Sequence, residues 1–222
     1  VGGGSGGVRA ARIASGLGAR VGLCEMAELS GTCVNLGCVP KKLMVYASHT
    51  PASVADAAGF GWTIDEPRFD WSTLIANKDR EILRLNGIYE RLLKGAGVEL
   101  ILGRGRLVDA HTIDIDGRTV TAERILLCPG GWPVMPDIPG IEHAVSSNEI
   151  FHLKECPKRI LIVGGGYIAT EFAGIFHGLG SEVVQVYRGP LFMRGFDTDV
   201  REFLAEEMKK QGVDLRFECN VT

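Results

Sequence analysis

No apolar run in this sequence approaches the roughly 20 residues needed to span a bilayer, and no signal peptide is visible. Excess charge of one sign is lacking as well: 24 Lys and Arg stand against 27 Asp and Glu, for a formal net charge of −3. That balance offers no electrostatic footprint for nucleic acid or an anionic membrane surface. Cysteine is sparse, and of Cys24, Cys33, Cys38, Cys128, Cys156 and Cys219 only Cys33 and Cys38 are close together. This excludes a small secreted disulphide scaffold and goes with a reducing compartment, cytoplasmic or its organellar counterpart. The histidines (His49, His111, His143, His152, His177) show no ligand spacing among themselves or with cysteines, so no metal is expected.

Glycine is what the chain has in quantity, 30 residues of 222, and two clusters explain much of it. The run VGGGSGGVRA at 1–10 is echoed by VGGGYIATEF at 163–172. Each leads into a helix-like stretch and then an apolar strand, at 20–24 and at 182–187, and a further strand at 160–163 precedes the second. Two strand–glycine turn–helix–strand units predict an α/β protein with two Rossmann-like nucleotide-binding domains and parallel sheets.

Between the two units, residues 69–96 read as a long helix. Short strands follow at 98–102, 112–115 and 119–121, with a turn at Asp116-Gly117, and 125–127 reads as a buried strand. The Pro- and Gly-rich stretch 129–140 is the domain boundary, giving domains 1–140 and 141–222. In the second, helix 198–210 and strand 213–217 complete a β-α-β-α-β half. The chain reads as truncated at both ends, its first strand missing before Val1.

Gly2, Gly4 and Gly7 satisfy the dinucleotide pattern: a tight turn, a close approach of backbone to pyrophosphate, and close helix packing. Amides at the helix start face the phosphates. Glu25 lies 18 residues beyond Gly7, where a strand-end carboxylate can accept ribose hydroxyl bonds, so an adenine dinucleotide is favoured over a plain flexible loop. In the second unit Gly164, Gly166 and Ala169 repeat the pattern, but Tyr187-Arg188 replaces the strand-end acid and Arg194 follows six residues later. Two guanidiniums attract and fork onto a 2′-phosphate that an acid would repel. The preferred ligand is therefore NADPH, with solvated surface arginines as the plainer alternative.

Cys33 and Cys38 are five residues apart. In an ideal helix their Cα atoms would be roughly 8–9 Å apart, beyond the ~7 Å limit for a disulphide. A bridge would need a distorted first turn, which Gly37 eases, and a strained, accessible bridge is readily reduced. Lys41 and a helix N-terminus favour a thiolate. On these grounds alone the pair reads equally as two ordinary thiols or half of a weak metal site.

The run TCVNLGCVPKK at 32–42 resembles the active-site signature of glutathione reductases, within the FAD-dependent class I pyridine nucleotide–disulphide oxidoreductases. The resemblance extends over essentially the whole chain, through RLNGIY at 84–89, IPG at 138–140, GGGYIATEF at 164–172 and the Arg188/Arg194 pair. It implies FAD held by Ser5, Gly6, Glu25, Thr32, Cys33 and Lys41, with a backbone contact at Gly105. It implies NADPH on Gly165, Ile168, Glu171, Arg188 and Arg194, with Tyr167 as a lid. Cys38 would be the charge-transfer thiolate, Cys33 the group that attacks the substrate disulphide, and Lys41 the partner of Glu171, linking the two domains. Ser5, Arg12 and Tyr89 would lie at the glutathione pocket. A basic face from Arg9 and Arg12 suits glutathione disulphide and not the cationic conjugate of trypanothione reductases, while the arginine pair speaks against dihydrolipoamide dehydrogenase. A cofactor-binding module without turnover is the non-enzymatic alternative.

Three positions depart from the family pattern. Ser30 stands where a glycine is usual, Cys128-Pro129-Gly130 replaces Ala-Thr-Gly, and Glu81 takes the place of an aromatic substrate contact in some relatives. The family's acid–base His-Glu pair comes from a C-terminal interface domain of the partner in a homodimer. No histidine here has that context, so this stretch by itself is expected to be inactive.

Overall fold

The computed structural model of the chain describes residues 1–221. They fall into two units, Val1–Pro40 with Asn77–Val134, and Lys41–Ala76 with Met135 onward.

In the first unit helix α1 (Ser5–Gly16) follows the glycine loop and leads to strand β1 (Gly22–Glu25). Helix α2 (Gly31–Asn35) comes next, and helices α3 (Cys38–Ala57) and α4 (Trp71–Gly95) each contribute residues to both units. β1 pairs in parallel with β2 (Glu99–Leu102), Gly22 opposite Glu99 and Glu25 opposite Leu102. Val8 and Ala11 sit three apart on one face of α1 and are buried with Leu23, Leu93 and Val98, which is the helical period meeting a sheet. Strands β3 (Gly105–Leu107), β4 (Thr112–Ile115) and β5 (Arg118–Thr121) form an antiparallel meander. The β4–β5 turn has φ of 49° at Asp116 and 87° at Gly117; both are left-handed, as the twist-matched hairpin turn requires.

The expected buried strand at 125–127 is not there. This stretch is irregular, and Leu126 and Leu127 are 58% and 52% exposed. Its ladder consists of bonds to one residue: Val1 donates to the Leu126 carbonyl and accepts from the Cys128 N–H. A strand assignment needs more pairing than a single residue supplies.

In the second unit β6 (Arg159–Val163), α5 (Tyr167–Gly178), β7 (Glu182–Tyr187), α6 (Thr198–Gln211) and β8 (Asp214–Phe217) follow in turn. Their strands form one parallel sheet in the order β6-β7-β8. α5 buries Phe172, Ala173, Ile175 and Phe176, at about 1.5–3 kcal/mol for each large side chain. Phe176 stacks on Trp71 at 6.0 Å, and the Trp71 indole N–H donates to the Leu153 carbonyl at 2.8 Å. The architecture is thus the expected α/β fold, parallel strands joined through glycine turns and helices. Among the described residues no helix is long and apolar enough to cross a membrane.

Candidate functional site

The first glycine loop is shaped by what its glycines exclude. Gly2 has φ +98°, and a Cβ on it would come within 2.0 Å of the Cys128 carbonyl oxygen. A Cβ on Gly7 would lie 1.7 Å from the Gly2 carbonyl oxygen, so α1 starts directly against the turn. Gly4 faces Gly31, where an added Cβ would come within 2.5 Å of the Gly4 Cα. Two bare backbones therefore form one side of a slot. The Glu25 carboxylate accepts from the Gly3 N–H at 2.6 Å and from the Met26 and Ala27 N–H groups at 2.8 and 2.9 Å. A carboxylate has about four acceptor positions, so Glu25 can still take a ribose hydroxyl while it fixes the loop. Gly105 opens β3, where a Cβ would collide with Cys24 Sγ at 2.9 Å.

Among the described residues no side chain caps α1 or α5, and neither has an acid in its first turn. Gly4 and Gly166 are their N-caps. α6 is different: Asp197 accepts from the Asp199 and Val200 N–H groups, and Asp199 adds a further charge. The two helices behind the glycine loops thus keep amides and a positive end for an anion, while the third satisfies its own. The residues fit two phosphate-bearing cofactors.

Around the second loop Gly164 has φ +144°, and Gly165 lies flat on the Tyr187 ring, where a Cβ would come within 2.4 Å of ring carbons. Met193 N–H donates to the Gly165 carbonyl at 2.6 Å. Arg201 donates to the carbonyls of Phe192 and Leu191, both at 2.7 Å. Arg188, which follows Tyr187, and Arg194, which follows Met193, are thereby carried on segments that touch the glycine loop, and both are exposed. Ile168 and Tyr167 open α5 and are exposed, and Ala169 packs against Gly164. Lys41 forms an ion pair with Glu171 and lies 5.2 Å from the centre of the Tyr167 ring. All of these groups belong to the second unit.

Cys33 lies half-buried in α2 and Cys38 opens α3, exposed. The helix is broken between them, with Leu36 at φ −135°. Gly37 folds back so closely that a Cβ on it would be 2.9 Å from the Thr32 carbonyl oxygen and 3.3 Å from Cys33 Cα. The ideal-helix separation therefore does not apply, and the residue after Gly37 is Cys38. Burial pushes the Cys24 and Cys156 thiols up, which makes both poor nucleophiles at neutral pH.

Supports that sequence reading missed hold this turn. Asn35 Nδ2 donates to the Leu29 and Gly31 carbonyls, both at 2.9 Å, and accepts from Asn86 at 2.8 Å on its Oδ1. Asn86 lies within the RLNGIY run, but its 51-residue separation from Asn35 hides the contact. Tyr89, in the same run, is half-buried and packs against the Val8–Ala11–Leu23 cluster. Glu81 forks onto Arg84 with both bonds at 2.7 Å. Ser5, Gly6 and Arg12 are exposed on α1, and Thr32 on α2.

Ser30 donates its N–H to the Gly3 carbonyl at 2.8 Å and adopts φ +79°, a conformation suited to glycine. Its Oγ is buried and has no partner among the described residues. Left-handed backbone in a serine and an orphan hydroxyl each cost of order 1–3 kcal/mol. Ser30→Gly is expected to raise unfolding free energy by about 1–3 kcal/mol, or roughly 2–4 °C in Tm per kcal/mol. An unchanged or lowered urea midpoint would show that the hydroxyl is in fact satisfied.

Over residues 1–222 the chain matches the family described as pyridine nucleotide-disulphide oxidoreductase. It is 50% identical over 221 residues to a glutathione reductase of Burkholderia cepacia, covering 100% of this chain and 49% of that protein. A chloroplastic/mitochondrial glutathione reductase of Pisum sativum is 53% identical over 208 residues, covering 89% and 38%. A trypanothione reductase of Leishmania donovani is 41% identical over 212 residues, covering 89% and 43%. Among solved structures, the HOCl-induced flavoprotein disulfide reductase RclA from Escherichia coli superposes with a TM-score of 0.86 at 29% identity, covering 99% of this chain and 48% of that one. The chain spans about half the length of the curated relatives it matches.

Proposed function

The chain belongs to the pyridine nucleotide–disulphide oxidoreductase family, and from that premise we propose that its protein reduces glutathione disulphide with NADPH, through a Cys33–Cys38 pair. The family's glutathione reductases use FAD and NADPH. When bound, these cofactors supply the two electrons that the pair passes on.

The observation that supports the reading is the close return of Gly37 onto Cys33, since it breaks the continuous helix that would hold Cys38, the next residue in the sequence, too far away for a bridge. Residues 1–140 serve as the FAD-binding domain, through Gly2, Gly4, Ser5, Gly6, Gly7, Glu25, Thr32, Cys33, Lys41 and Gly105. Residues 141–222 bind NADPH, through Gly164–Gly166, Tyr167, Ile168, Ala169, Glu171, Arg188 and Arg194. Lys41 and Glu171 form an ion pair, so the largely buried ammonium of Lys41 is not left without a partner.

The cysteines divide the work. Two electrons and one proton open the Cys33–Cys38 bond, leaving Cys38 as thiolate and Cys33 as thiol. Cys33 gives up its proton, attacks one sulphur of glutathione disulphide and expels the first glutathione thiolate, which takes that proton up. The Cys38 thiolate then attacks Cys33 Sγ, restores the bond and expels the second glutathione thiolate, which takes up a proton from solvent. The sum is one disulphide, two electrons and two protons to two thiols.

Arg12, with Arg9 on the same helix and both exposed, supplies positive charge for the carboxylates of glutathione, beside Ser5 and Tyr89. This favours glutathione disulphide over the substrate of trypanothione reductases. The protein acts as a homodimer in a reducing compartment, cytoplasmic or organellar. Turnover of glutathione disulphide by the intact protein with NADPH tests the proposal.

A further inference from the structure

We propose that Gln185, buried beneath the second glycine loop, is a positioning residue that aims the Gly165 N–H at the pyrophosphate of a bound nucleotide; this rests on reading that loop as the NADPH site.

Gln185 is the buried polar residue in the β7 run EVVQVY and is 1% exposed. Its Nε2 donates to the Gly164 carbonyl at 3.0 Å and to Thr170 Oγ1 at 3.4 Å. Thr170 Oγ1 in turn donates to the Gly166 carbonyl at 3.2 Å, which also accepts from the Thr170 N–H at 3.1 Å. The Gly165 carbonyl accepts from Met193. All three carbonyls of the loop are thus held by donors on the protein side, one by Gln185 directly and one through Thr170.

In a trans peptide the C=O of one residue and the N–H of the next point in opposite directions. Holding the Gly164 carbonyl toward β7 therefore turns the Gly165 N–H away from it. Gly165 meets the Tyr187 ring on the side where a Cβ would stand, so a bound pyrophosphate would meet that N–H away from both β7 and the ring. The same relation directs the N–H groups of Gly166 and Tyr167 toward the uncapped start of α5.

Gln185 does this at a cost, since its Oε1 is buried with no partner among the described residues. An apolar residue of equal length would fill the space without that orphan. A side chain kept only for packing gains nothing from the amide, whereas a side chain that aims a loop requires its N–H.

The test compares Gln185→Met with wild type in the intact protein, using two probes. NADPH carries both a pyrophosphate and a 2′-phosphate, while adenosine 2′-monophosphate offers Arg188 and Arg194 their phosphate and has no pyrophosphate. The variant is expected to bind NADPH roughly tenfold more weakly, as for one misaimed hydrogen bond to a charged group. It should bind adenosine 2′-monophosphate unchanged and melt no lower than wild type. Gln185→Asn, an amide too short to reach, should weaken NADPH and spare adenosine 2′-monophosphate in the same way, although its unpaired buried amide should lower the melting temperature, and it serves as the second variant. Equal affinities for both probes, or equal losses on both, would overturn the positioning role. A wild type that binds neither probe would overturn the NADPH reading and this proposal with it, a pattern distinct from the other two.

Discussion

Cys33→Ser in the intact protein is expected to lower reduction of glutathione disulphide by roughly 10³-fold or more, while NADPH oxidation by a small electron acceptor such as ferricyanide continues. The thiolate is the nucleophile in disulphide exchange, and a serine hydroxyl at neutral pH offers no comparable anion. The substituted residue sits half-buried in α2, a single atom is exchanged, and the Asn35 bonds that hold the turn run to backbone at Leu29 and Gly31 and not to the thiol. Loss should therefore be chemical and not structural. Cys38→Ser separates the two roles further: Cys33 should remain as a mixed disulphide with glutathione, visible as an adduct on the peptide carrying residue 33. If ferricyanide reduction fell together with disulphide reduction, the cysteine would be serving the nucleotide site and the division of labour would be wrong.

Replacing Arg188 and Arg194 together by Gln is expected to weaken NADPH by roughly 100-fold, with NADH nearly unaffected. Charge-assisted bonds to phosphate contribute about 1.5–3 kcal/mol each. Both guanidiniums are exposed, so the low end applies, and two bonds at ~1.5 kcal/mol correspond to about two decades. The wild-type preference should shrink as salt rises, because exposed charges are screened, and the variant's residual affinity should be nearly flat with salt. Equal losses for the two nucleotides would mean that the arginines support the loop and do not read the 2′-phosphate. Arg201 makes a useful contrast, since it donates to the carbonyls of Leu191 and Phe192. Its removal should loosen the segment and weaken both nucleotides.

Much of this is legible in the amino-acid sequence itself. The echo of VGGGSGGVRA in VGGGYIATEF placed both glycine turns, because a turn against packed backbone admits no Cβ and so leaves its mark on composition. The strands at 160–163 and 182–187 followed from apolar runs bounded by turn residues. The break between Cys33 and Cys38 was harder to see, because no residue there forbids a helix. It depends on Leu36 leaving helical geometry and on Gly37 approaching Cys33 Cα, a local choice that propensity does not resolve. The strand expected at 125–127 failed for the opposite reason: its apolar pattern was right, but pairing is not a property of the run itself. Ser30 stands out in the sequence as a departure from the family, yet its left-handed φ and buried orphan hydroxyl depend on where Gly3 lies. Asn35 with Asn86 and Gln185 with Gly164 are bonds between residues distant in sequence, and a polar letter in an apolar strand does not name its partner.

The most direct test of the central claim is steady-state reduction of glutathione disulphide by the intact protein, with NADPH and NADH compared under the same conditions and other low-molecular-weight disulphides run beside it. The account predicts turnover with glutathione disulphide, a strong preference for NADPH, and loss of that turnover in Cys33→Ser. Turnover that favours NADH, that prefers another disulphide, or that survives the loss of Cys33 would contradict it.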